Sequence, residues 1–363
     1  SEFSESSLGI LTKRDALAVA FTASELVDRL RDFADPTRTD IEVADEYGLP
    51  LVDKDKWNLS KARESLRSID SDKIVPVLYR PFDIRYVYYD DVLVARTNRR
   101  VLNHMSKVDT NLALIFGRVS MANGPGLWDA CFVSNMISEQ AIYRRSGGTV
   151  FPINLNQNEG MFIDGLVRLN ISKKLSTYSK EIAGKDSSIV EYAYGVLHSL
   201  SYRKRYEEFL KIDFPRLPLT QDEALFERLR IFGEELISVH LMKIGQQTTH
   251  VSLPLGPESI RVEKVSYSDG SVWLDKGKSM GFVGVPEEVW NFHIGGYQVC
   301  EKWLKDRQAK GGKNPRPGRV LTTEDIEHYQ KIIIAISETI RIMGEIDEVI
   351  DAHGGWPGAF QSN

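Results

Sequence analysis

Near the start of the chain, Leu17, Phe21, Leu26, Leu30 and Phe33 recur at the spacing of one helix face. Thr22, with Glu25 three positions on, makes a capping box, so residues 14–33 are expected to form a lead-in helix pair. Residues 35–72 are polar around one helix-like run at 60–68. From Ile74 the texture changes to alternation. The runs IVPVLYR, IRYVYYD, NLALIFGRVS, LWDACFVSN and GGTVFPINL are separated by Pro, Gly, Asn and Asp turns, which predicts a β-rich core. Residues 156–185 carry Lys173, Lys174, Lys180 and Lys185 with little apolar periodicity, and read as a loop or irregular excursion.

Helical spacing returns through Val190, Tyr194, Leu197, Leu200, Tyr206 and Leu210, and Pro215 and Pro218 close it. Thr220 and Glu223 give a second capping-box signature ahead of Leu225, Leu229, Phe232, Leu236 and Val239. Residues 258–274 alternate again, with Asp269 and Gly270 as a hairpin turn before Val272 and Leu274, so a small second sheet is expected. A helix at 299–306 leads into a basic, Gly- and Pro-rich loop ending at Arg319. The last helix, 324–350, sets Ile326, Tyr329, Ile333, Ile336, Ile340 and Met343 on one stripe. There is no internal repeat. The pattern predicts a mixed α/β (α+β) fold: a β-rich lobe, a helical region, a small second sheet and a long C-terminal helix. Three segments are expected: a helical connector at 1–72, a central domain at 73–300, and at 301–363 a basic loop and helix packing on it.

Composition fits an ordinary soluble globular chain of two or three domains, with 363 residues of which 42% are hydrophobic and 27% charged. Cys131 and Cys300 are too few for a disulfide framework and lack metal-ligand spacing, which points to a reducing compartment and a cytoplasmic location. No apolar run approaches the roughly 20 residues that span a bilayer, so no membrane partner is expected. The start, SEFSESSLG, lacks the basic and apolar regions of a signal peptide, and its SEF opening without methionine reads as a cloning remnant ahead of a fragment.

Common catalytic signatures leave no trace. Gly277-Lys278-Ser279 matches the end of a phosphate-binding loop but lacks the upstream glycine. No lysine has an acid two positions before it, as the commonest nuclease core requires, and no two prolines are adjacent, as amino-methylation of a base requires. HExxH does not occur. The expectation is a binding module with no catalytic residues and no metal site.

Several blocks together resemble the C-terminal specificity domain of Type ISP restriction-modification enzymes and similar single-chain adenine-specific DNA methyltransferases. YRPFDIRYVYYDD followed by NRRVLNHM resembles the start of that domain, and FVSNMISEQ and FPINL its next segment. AYGVLHSLSYRKRYEEFLKIDFPRLPL resembles its helical signature, GVPEEVWNFHIGGYQVCEKWLKDR its later core, and LTTEDIEHYQKIIIAISETIRIM its closing helix. The leading GILTKRDALAVAF looks like the connection to a methyltransferase core. The likeness runs from about Gly9 to about Asp347. The loop QAKGGKNPRPGRV is longer and more basic than the family pattern, and the tail after Asp351 departs from it. The resemblance implies a target-recognition domain, with duplex DNA and an N-terminal methyltransferase domain of the same chain as partners. It places S-adenosylmethionine, ATP and magnesium in the parent enzyme and no cofactor in this segment.

A net charge of -5 does not oppose that reading, because acidity averages the whole surface while DNA binding needs one basic face. Over residues 79–107, Arg80, Arg85, Arg96, Arg99, Arg100 and Lys107 outnumber Asp83, Asp90 and Asp91. Asn98, Arg99 and Arg100 have the chemistry to read base edges, against a solvated turn. Arg80 and Arg85 flank Asp83, so DNA contact competes with an internal ion-pair network. Arg144 and Arg145 precede a Gly-Gly turn that suits a groove-inserted loop. Arg203 begins the basic run Arg203, Lys204, Arg205, and Lys310, Lys313 and Arg316 lie in the densest basic segment; phosphate contact is the expectation for both, beside a solvated face or loop. Two other classes remain: a protein-interaction scaffold using the last helix's stripe, and an enzyme with an unfamiliar site near Asp83, His104 and His198.

Overall fold

The computed structural model describes residues 2–117, 127–144, 147–156, 167–210, 212–243, 259–311 and 316–360. By contact the chain divides into two compact units, one of Phe3–Gly117 with Ser134–Asn170, the other of Arg118–Val133 with Ile171–Asn363. The expected borders at 72 and 300 follow changes of sequence texture, whereas these follow contacts. Segment 1–72 is folded into the same unit as the strands after it.

In the first unit, the helices Ala23–Ala34, Asp40–Tyr47 and Leu59–Ser65 bury Leu26, Leu30, Phe33, Val43, Leu59 and Leu66 in one cluster with Tyr88 and Leu93. Thr22 caps the first of them as expected, its side chain accepting from Glu25 N. Ahead of it lies a single helical turn, Asp15–Ala18, and then the short strand Val19–Ala20. The polar stretch 35–72 thus holds two helices, where its pattern predicts one. Val19–Ala20 pairs with Asp83–Tyr88, which pairs in turn with Ile74–Arg80. That register slips between Leu78 and Arg80, and Phe82 takes a left-handed φ of 61° to close the turn. A second antiparallel ladder joins Ser7–Leu8 to Gly148–Pro152 and this to Ala113–Gly117.

The second unit is mostly helical. Ser188–His198 crosses Glu223–His240 at two glycines: a Cβ on Gly233 would lie 1.7 Å from Glu191 O, and one on Gly195 would lie 2.3 Å from Leu229 O. Only glycine permits that approach. Around it Tyr192 stacks on Phe226, and the buried His240 bridges the Tyr194 hydroxyl and Thr339. The closing helix, Thr323–Ala352, buries Ile326, Tyr329, Ile333, Ile336 and Met343, and half-buries Ile340. The predicted hairpin forms between Ser266–Ser268 and Ser271–Trp273, with Asp269 and Gly270 both at positive φ, and Gly281–Val283 completes a three-stranded sheet.

Three expectations need correction. Residues 173–183 are a helix, Lys173–Ala183, rather than a loop; Leu175, Tyr178 and Ile182 hold helical spacing and Ser172 caps it. The stretch from Val190 to Leu210 is not one helix, because Ser199 is extended and caps a second helix, Leu200–Arg205, through Tyr202 N. Helix Glu223–His240 is capped by Asp222, while the Thr220 hydroxyl donates to Ala359 O. Among the described residues no helix is long and apolar enough to cross a membrane, and no cluster of His, Cys, Asp and Glu is arranged to hold a metal ion.

Candidate nucleic-acid interface

The arginine-rich segment begins on the hairpin Ile74–Arg80 and Asp83–Tyr88, and two of its arginines turn inward. Arg85 holds the buried Asp83 carboxylate through Nη2 at 2.6 Å and Nε at 3.0 Å. Arg80 Nη1 donates to Glu139 at 3.0 Å. Both guanidinium groups lie over the Tyr79 ring, at 4.0 and 3.8 Å from its centre, and the Tyr79 hydroxyl donates to Asp15 at 2.7 Å. Each of these two arginine side chains is only 12% exposed. Burial pushes the Glu139 carboxyl up to about 7, against the pull of the Arg80 guanidinium. The structure thus assembles the internal network that competes with DNA contact for these residues.

This network sets an expected result for Arg80→Met. A buried carboxylate stranded without its partner costs about 3–5 kcal/mol. Glu139 takes up a proton near neutrality, so the loss is held to about 2–3 kcal/mol at neutral pH. A carboxyl raised in the folded state stabilises most at low pH and loses that contribution as pH rises through its folded value. Without Arg80 that value rises further, so the deficit against the native chain widens between about pH 6 and pH 8. Urea midpoints at the two pH values measure it; equal deficits at both would contradict the assignment.

Downstream, the chain is tied at Arg96, whose backbone exchanges hydrogen bonds with Leu11 at 3.0 and 3.1 Å while its side chain is exposed. Asn98 is left-handed at φ 49°, and its amide donates to Leu8 O and Gly9 O, both at 2.9 Å. Arg99 pairs with Asp91 at 2.6 Å and lies over Tyr89. Arg100 differs: its side chain is 85% exposed, with Glu5 at 3.8 Å. The helical turn Arg99–Leu102 runs on into a 3-10 turn, Asn103–Met105, burying Val101, Leu102 and Met105 and exposing Arg100, Asn103, Ser106 and Lys107. Asn103 was not among the residues expected from sequence; the spacing of Val101, Leu102 and Met105 was the signal for it.

Arg144 is exposed, directly after the buried Tyr143. Arg145 and Lys313 lie outside the described residues. Arg203 is buried, its Nε donating to Leu197 O at 2.8 Å and its guanidinium 5.6 Å from the Trp128 ring centre, while Lys204 and Arg205 are exposed. Lys310 and Arg316 are exposed and exchange two backbone hydrogen bonds of 2.9 Å, and Arg316 also donates to Asp306 O. Of the residues considered, open cationic chemistry is found at Arg96, Arg100, Lys107 and Arg144 in the first unit and at Lys204, Arg205, Lys310 and Arg316 in the second.

Neither alternative gains support. His198 is buried, with Nδ1 2.7 Å from Tyr194 O, and burial holds its pKa well below the usual value. The stripe of the closing helix is spent on its own unit's core.

A family model described as the Type ISP C-terminal specificity domain matches residues 1–345. The fold is similar to a nuclease-deletion mutant of the Type ISP restriction-modification enzyme LlaGI in complex with a DNA substrate mimic, at 20% identity and a TM-score of 0.66, covering 95% of this chain and 33% of that one. It is similar to DrdV in a DNA complex, at 19% identity and a TM-score of 0.69, covering 95% and 36%. It is also similar to the ATP-dependent Type ISP restriction-modification enzyme LlaBIII bound to DNA, at 17% identity and a TM-score of 0.67, covering 95% and 23%. This chain thus spans about a quarter to a third of those chains. No curated protein matches it.

Proposed function

The chain belongs to the Type ISP C-terminal specificity domain family, and from that premise we propose that it grips duplex DNA and reads a short sequence in it on behalf of a longer restriction-modification enzyme. The family match over residues 1–345 carries this reading. The open cations of the 96–107 corner and of the bridged pair Lys310 and Arg316 agree with it.

Methyl transfer to adenine belongs to an N-terminal domain of the parent enzyme, with the flipped base and S-adenosylmethionine bound there. ATP and magnesium are assigned to parts further upstream. The residues present do not fit these groups, since no phosphate-cradling glycine loop occurs and the described residues contain no carboxylate cluster for a metal.

Binding by the 363-residue chain is expected to be steeply salt-dependent, because each neutralised phosphate releases condensed counterions. With about five phosphate contacts, affinity falls on the order of 500-fold between about 50 and 200 mM salt. Anisotropy titrations of labelled duplex, and selection of bound duplexes from a random pool, test both grip and preference. An affinity indifferent to salt, or a pool that emerges unenriched, would count against the proposal, as would methyl transfer by the purified chain.

A further inference from the structure

On the proposed DNA-reading role, we infer that Arg100 and Asn103 form the base-reading face, with Asn103 reading an adenine beside a guanine read by Arg100 and Lys107 meeting a flanking phosphate. The first expectation, that Asn98 and Arg99 read bases next to Arg100, meets an obstacle in the geometry. Both donors of the Asn98 amide are occupied by Leu8 O and Gly9 O, and Arg99 is paired with Asp91. Reading with either side chain breaks a bond that shapes the corner.

The next turn carries no such commitments. Val101, Leu102 and Met105 are buried and anchor it, so Arg100, Asn103 and Lys107 stand on the opposite, exposed side. Arg100 and Asn103 are three residues apart, about 5 Å along the axis of a turn that is part α and part 3-10. That is longer than the ~3.4 Å rise between successive base pairs, a difference that two flexible side chains converging on one groove can span. A guanidinium matches guanine O6 and N7, and a carboxamide matches adenine N7 and N6, so the pair fits two adjacent pairs in a major groove wide enough for a helix. Lys107, two residues past the end of the 3-10 turn, has the reach and point charge for a flanking phosphate. Glu5, 3.8 Å from Arg100, is the acid facing this surface, and it holds the guanidinium so loosely that a base edge can replace it.

The test uses the full chain and the duplex selected from the random pool, with 7-deazaadenine, which lacks the N7 acceptor, placed at each adenine in turn. At one adenine the native chain is expected to lose about tenfold in affinity, while Asn103→Ala loses about tenfold on the natural duplex and nothing further from the deaza base. Arg100→Ala relaxes discrimination at the neighbouring pair. Lys107→Ala weakens all sequences alike and reduces the salt slope by about one. Thermal melts confirm that these exposed substitutions leave the fold intact. If the native chain prefers a sequence and Asn103→Ala keeps that preference with full deaza sensitivity, the reading face is misassigned and the proposed function stands. If the native chain binds no duplex, both fail together.

Discussion

Ile333→Asp in the closing helix is expected to unfold the second unit. Ile333 is 1% exposed and faces the core along a helix of 30 residues. Removing a buried isoleucine costs about 2–5 kcal/mol, and a buried carboxyl adds several more, whether it stays ionised or takes up a proton. The sum is comparable with the whole stability of a domain, about 5–15 kcal/mol. Lys331→Asp, on the exposed side of the same helix, is the matched control and remains folded. Circular dichroism and gel filtration of the two variants decide it. A folded Ile333→Asp chain that had lost a native self-association would revive the scaffold reading.

Glycine-to-alanine changes are expected to act in opposite directions at two helical positions. At Gly344 a Cβ meets nothing within 4 Å, so Gly344→Ala gains helix propensity and stabilises by up to about 1 kcal/mol. At Gly233 the same methyl group would stand 1.7 Å from Glu191 O and 2.9 Å from Gly195 N. Those are backbone atoms of the crossing helix, with no rotamer to give way, so the helices must separate and loosen the Tyr192–Phe226 stack. Overpacking commonly costs about 1–3 kcal/mol, and a backbone clash this close exceeds about 3 kcal/mol. Urea midpoints for the two variants provide the measurement; equal effects would show that the crossing relaxes freely.

Elements with long or sharply punctuated patterns were legible in the sequence. The closing helix announced itself through six apolar positions, and the 266–273 hairpin through Asp269 and Gly270, whose turn needs positive φ at both residues. The helix Lys173–Ala183 was not read because its buried face is thin, with Leu175 and Ser179 alone fully covered. For the interface, charge was visible and direction was not. Asp83 between Arg80 and Arg85 signalled their internal network, but Arg203 looks alike in sequence to Arg100; the first two are folded onto carboxylates and aromatic rings and the third onto Trp128. Which arginine faces outward depends on contacts that folding brings together, as Glu139, 59 residues along the chain, is for Arg80. Asn98 resembles a base reader for the reason that suits it to a left-handed corner: its short amide bonds backbone readily.

The two backbone hydrogen bonds between Lys310 and Arg316 clamp the neck of the basic loop. Whatever lies beyond a clamped neck changes length at little cost, since doubling a loop adds only about 0.6 kcal/mol of closure entropy. Insertions and exchanges of lysine there leave the frame of the second unit undisturbed, and the Arg100–Asn103 face belongs to the other compact unit. On the proposed DNA-reading role, natural variation in that segment would lengthen or shorten residence on DNA while the preferred sequence is inherited unchanged.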